Sequence, residues 1–154
     1  YRMWAQSTLN NSFTTSEAER THMKNNLYVD NNYTLNTNIM GYVFKTQQPG
    51  TVPLYRMWAQ QIQNTRLTIS EVERAHMKNN LYVDNNYTLN TKIIGYDFKT
   101  RQPGTVPLYR MWAQQTQNSI LTTSNGALNH MRNNLFVDNH MLTNFVQGYL
   151  LPNK

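Results

Sequence analysis

Three tryptophans, Trp4, Trp58 and Trp112, sit in the same six-residue block, Tyr-Arg-Met-Trp-Ala-Gln, at Tyr1–Gln6, Tyr55–Gln60 and Tyr109–Gln114. If each block is a strand, its side chains alternate. Arg2, Trp4 and Gln6 then share one face, as do Arg56, Trp58 and Gln60, and Arg110, Trp112 and Gln114. A flat indole beside a guanidinium and an amide can hold a sugar. The indole covers the C–H face of the ring, while amide and guanidinium exchange hydrogen bonds with its hydroxyls. The same tryptophans could equally fill the core between adjacent units. A second matched set, Asp30-Asn31, Asp84-Asn85 and Asp138-Asn139, either adds polar partners for such a ligand or forms turns with its own side chains.

Catalysis finds less support. Of the eight carboxylates, Glu17 and Glu71, Glu19 and Glu73, and Asp30, Asp84 and Asp138 fall in repeated positions. The glutamates sit where a helix begins, and there they favour the N-terminal dipole. A paired-carboxylate glycosidase needs two acids with separated pKa values across one cleft, and no pair is singled out. The chain has no Cys, no Gly-x-Ser-x-Gly and no phosphate-cradling glycine loop. It reads as a non-enzyme without a cofactor. His22, His76 and His130 could bind a metal if they converged on an axis; packing beside Met23, Met77 and Met131 at a helix–sheet contact is the plainer reading.

The elements that would position these groups recur with a period of 54 residues, giving copies 1–54, 55–108 and a shorter 109–154 within one domain. Each copy predicts strand, strand, short helix, strand, strand. Ser16-Glu17-Ala18-Glu19 and Ser70-Glu71-Val72-Glu73 are capping boxes, opening helices that run to about Asn26 and its counterpart, whereas Ser124-Asn125-Gly126-Ala127 opens a weaker one. Leu27–Asp30 reads as the third strand, an Asn-rich loop follows at 31–38, and Ile39–Phe44 reads as the last strand. Gln48-Pro49-Gly50-Thr51 predicts a type II turn into the next copy. The expected architecture is mainly β with a short helix per repeat, closed with pseudo-three-fold symmetry. It is trefoil-like, or else a ring of three small, propeller-like β/α units; closure would remove sheet edges.

Bulk composition agrees with a folded β-rich chain. Aromatics are 12% and charged residues only 14% of 154 residues, the reverse of the disordered pattern. The net charge of +6 permits an acidic partner, yet the Lys and Arg residues never form a run, which argues against a nucleic-acid groove. No stretch is long and apolar enough to cross a membrane as a helix. A chain opening on Tyr reads as a mature or trimmed form.

The segments Tyr1–Trp4, Phe13–Arg20, Gly41–Phe44 and Val52–Arg56 resemble a tandem-repeat family of unknown function, whose repeats run YRLY, HFYTTS-AER, EGIAGYVF and VPLYRLY. Such repeats occur in fungal and bacterial proteins, often beside polysaccharide or cell-wall hydrolases. The resemblance covers essentially the whole chain. This sequence differs in lacking the His before Phe-Thr-Thr, in carrying Trp in the YRLY block, and in its Asn-rich insertion. The resemblance implies a polysaccharide context and an extracellular or cell-surface location, with the cytoplasm as the alternative. The leading expectation is therefore a lectin with up to three equivalent shallow sites for neutral glycans. The alternatives are an anion or nucleic-acid binder using Arg2, Arg56 and Arg110, and a structural or storage repeat protein.

Overall fold

The structure, a computed structural model, describes residues 1–5, 7, 10–30, 39–85, 92–113, 118–133, 137–138 and 146–153. It is mainly β, with short helices. Strands β1 (Arg2–Ala5) and β2 (Asn10–Phe13), helix α1 (Glu17–Lys24) and strand β3 (Val29–Asp30) come from the first copy. Next come β4 (Thr51–Ala59), β5 (Asn64–Thr68), α2 (Glu71–Lys78), β6 (Val83–Asp84) and β7 (Ile93–Phe98). The chain continues with β8 (Val106–Ala113), β9 (Asn118–Thr122), α3 (Asn125–Arg132), β10 (Val137–Asp138) and β11 (Val146–Leu150).

The tryptophan blocks lie on β1, β4 and β8, and each pairs antiparallel with the strand that follows it. Trp4 faces Asn11, Trp58 faces Thr65 and Trp112 faces Ser119. The strands form a three-stranded sheet, β2-β1-β3, and an eight-stranded sheet; among the described residues neither closes into a barrel. Residues 39–44, expected as a strand, instead make two isolated bridges, Tyr42 to Leu151 and Phe44 to Tyr96. In β7 and β11 the equivalent residues Phe98 and Tyr149 pair in the same way.

The interior gathers residues from all three copies. Phe13, Leu67 and Leu121 hold equivalent positions and share one buried cluster with Leu54, Leu108, Ile94 and Leu150. Gly95 lies so close to Val43 that a Cβ would come within 2.2 Å of its Cγ2, so only glycine lets these backbones meet.

Local signals placed the turns and helix starts correctly. Gly50 and Gly104 take φ of 79°, as position i+2 of a type II turn requires, and Thr51 N–H donates to Gln48 O at 3.0 Å. Ser16 and Ser70 cap α1 and α2 by accepting from the Glu19 and Glu73 N–H groups, each at 3.1 Å. The third helix starts in the same way, with Ser124 Oγ accepting from Ala127 N–H at 3.1 Å. The reciprocal half of the predicted capping box is replaced, because the Glu19 and Glu73 carboxylates turn to the next copy.

Candidate functional site

Glu19 lies on α1, and both its oxygens meet Arg56 of β4, Oε1 with Nη1 at 2.6 Å and Oε2 with Nη2 at 2.9 Å. Glu73 and Arg110 repeat the arrangement at 2.7 and 2.5 Å. All four residues are buried. Each arginine also reaches a carbonyl of the preceding copy: Arg56 to Phe13 O at 3.0 Å and Arg110 to Leu67 O at 2.9 Å. Arg2 donates to Leu121 O at 3.3 Å. Ala127 stands where Glu19 and Glu73 stand in the other copies, and burial lowers the Arg2 pKa to about 10.

Arg2, Arg56 and Arg110, expected on a ligand-facing surface, are thus buried, with Arg56 also bordering a cleft. Alternation along β1, β4 and β8 puts Arg and Trp on one face, but there the neighbouring copy encloses the arginines while Trp4 and Trp58 stay half-buried. For Arg56 and Arg110 a bidentate guanidinium–carboxylate pair makes the burial tolerable. The residues on which the anion-binding alternative depends are therefore enclosed.

Trp58 is only half-buried, and its indole N–H donates to Gln60 Oε1 at 3.0 Å. Together they border an open cleft of about 400 Å³ between the first two copies. Its other walls include His22, Tyr28 and Asn85, with Ser12, Thr65 and the Glu19–Arg56 pair also lining it. Of the residues predicted for a site, the structure brings Arg56, Trp58, Gln60 and Asn85 to one place. Sequence reasoning missed Ser12, Tyr28 and Thr65. Tyr28 had a signal, since an aromatic recurs at Tyr82 and Phe136 in the kept Asn-Asn-Leu-aromatic run.

The corresponding place at Trp112 is built differently. Arg66 stands where the first copy has Ser12, and its guanidinium lies 4.8 Å from the Trp112 ring centroid and 5.4 Å from that of Tyr82. The two positions therefore differ at this residue, whereas the repeat alone predicts like sites. Trp4 is half-buried on β1.

Asp30 and Asp84 serve ion pairs. Arg20 holds Asp30 with contacts of 3.0 and 2.7 Å and lies over the Tyr1 ring, and Arg74 holds Asp84 at 3.0 and 2.8 Å. Arg20 lowers the Asp30 pKa. Burial pushes Asp84 up, but Arg74 and Lys78 together bring it below the usual carboxylate value. Gln6, Asn31, Gln114 and Asn139, and the side chain of Asp138, lie outside the described residues. His22, His76 and His130 are exposed on their helices, not packed at a helix–sheet contact. Among the described residues no three metal-ligating side chains cluster.

The geometry defines a class: a β-rich chain of tandem sequence copies, locked by buried Arg–Glu pairs, with a cleft between neighbouring copies. The family model described as "Domain of unknown function (DUF5648)" matches residues 1–92, more than half of the 154, and the chain belongs to that family. No curated protein and no solved structure matches it. No described helix is long and apolar enough to cross a membrane.

Proposed function

We propose that the chain is a non-catalytic carbohydrate-binding protein whose sugar site is the cleft at Trp58. One observation carries the reading: an accessible indole, two amides (Gln60 and Asn85), an imidazole and a phenol ring line a single cleft of about 400 Å³. That mixture suits a sugar, which presents an apolar face and a rim of hydroxyls that both donate and accept. Glu19, the carboxylate in the cleft lining, is already committed to Arg56, which favours binding over hydrolysis. A polysaccharide partner fits a secreted or cell-surface setting.

The copies are proposed to form a pseudo-three-fold ring. Support comes from contacts that recur in cyclic order, each copy bonding the next and the third returning to the first. Arg56, Arg110 and Arg2 reach Phe13, Leu67 and Leu121. Phe44, Phe98 and Leu151 pair with Tyr96, Tyr149 and Tyr42.

A glycan array on the intact chain tests the function, followed by Trp58→Ala. The expected result is binding to a defined glycan class that Trp58→Ala weakens tenfold or more, with the melting temperature unchanged. An empty array, or binding untouched by the substitution, overturns the proposal.

A further inference from the structure

The chain carries within itself a picture of what fits between its aromatic walls. In the second cleft the buried Arg66 guanidinium lies near both the Tyr82 and Trp112 rings, and its Nε–H donates to Ser119 Oγ at 3.2 Å. Burial lowers the Arg66 pKa, Tyr82 and Glu73 act in the opposite sense, and Arg110 adds to the lowering. The guanidinium thus sits against two rings and a serine hydroxyl, with Glu73 and Arg110 nearby acting on its charge in opposite senses.

The first cleft repeats these parts 54 residues earlier. Tyr28 and Trp58 replace Tyr82 and Trp112, Thr65 replaces Ser119, and Glu19–Arg56 replaces Glu73–Arg110. One part differs. Ser12 replaces Arg66 and ends in a hydroxyl 3.4 Å from Thr65 Oγ1. No long side chain therefore occupies this position in the first cleft, where Ser12 forms part of the lining beside the same types of ring.

We infer that the first cleft selects an organic cation at this position, and that its ligand is an amino sugar bearing a free, protonated amine. This rests on the carbohydrate reading of the same cleft. The ammonium takes the place of the Arg66 guanidinium near the Tyr28 and Trp58 rings, where cation–π attraction grows as water is excluded. The Ser12 hydroxyl, backed by the buried Thr65 Oγ1, accepts an N–H bond, while Gln60, Asn85 and His22 at the wall meet the ring hydroxyls. The chain's net charge of +6 opposes cations at long range, so a preference for the amine has to come from the cleft itself.

The test is calorimetric titration of the intact chain with three tetrasaccharides of one linkage, built from glucosamine, N-acetylglucosamine or glucose. The glucosamine form is expected to bind about tenfold more tightly than either neutral form, the scale of one partly desolvated cation–π contact. Ser12→Arg should abolish that binding by placing the chain's own cation in the cleft. Arg66→Ser should open the second cleft and raise the stoichiometry by one. Equal affinity for all three sugars overturns amine selection and leaves the carbohydrate reading standing. Binding to none of them, with an empty glycan array, overturns both. Unchanged stoichiometry in a folded Arg66→Ser variant overturns the proposed equivalence of the two clefts.

Discussion

Asp97 gives the sharpest test of the packing. It lies on β7, is 1% exposed, and among the described residues neither of its carboxyl oxygens meets a hydrogen-bond partner. In the other two copies the same place holds Val43 and Leu150. The backbone of Gly148 presses against it, so that a Cβ there would come within 2.3 Å of the carboxylate. Burial raises its pKa from 3.8 to about 8, against a smaller pull the other way from its own backbone N–H. Between those values the folded chain holds a proton that the unfolded chain has released, so stability falls as pH rises. The contribution is complete below pH 3.8 and is lost by about pH 8. At about 1.4 kcal/mol per unit, the roughly three units from pH 3.8 to neutrality amount to about 4 kcal/mol. Asp97→Asn keeps the shape and cannot ionise. It should gain about that much at pH 7 and almost nothing at pH 3.5. Asp97→Val also removes the unpartnered polar atoms and should add a further 1–3 kcal/mol or so. Urea unfolding of the three proteins at pH 3.5, 5, 7 and 8.5 measures the differences. The reasoning fails if the gap between Asp97→Asn and the parent is flat across that range, or if Asp97→Val is the less stable at pH 7.

Glu73→Gln should destabilise by roughly 3–5 kcal/mol in urea unfolding, because it leaves the fully enclosed Arg110 without its carboxylate; a loss below about 1 kcal/mol would refute the pair's role. Ser70→Ala removes the α2 cap and should cost about 1 kcal/mol, read in the same assay without change in sugar binding.

Sequence carried the period, the turns and the helix starts because each depends on neighbours a few residues apart. Gly50 announces its turn beside Pro49, and Ser16 caps the N–H three positions on. The partner of Arg56 lies 37 residues away in another copy, and nothing local names it. Period-two alternation assigned Arg and Trp to a common face correctly, but alternation does not say what covers that face. Length was also misleading at Ile39–Phe44, whose composition suits a strand but whose pairing is split between Tyr96 and Leu151. The first cleft was half legible: Trp58 and Gln60 stood out by type, while Ser12 drew no notice because small residues do not announce a site.

The columns in which the copies disagree now explain more than those in which they agree. Identical columns supply what every junction needs: the arginine, the capping serine and the tryptophan strand. Ser12, Arg66 and Ile120 share a column, yet Ser12 lines the open cleft at Trp58, Arg66 lies against the Trp112 and Tyr82 rings, and Ile120 packs with Met111, Ala127 and Leu128. Val43, Asp97 and Leu150 share another, and there a single carboxyl makes one interior position sensitive to pH while its two counterparts are inert. Repetition alone would predict three like sites. If the cleft at Trp58 binds a sugar, the difference at Ser12 means the copies divide into one that binds and one already occupied by Arg66, and exchanging those two side chains should exchange the roles.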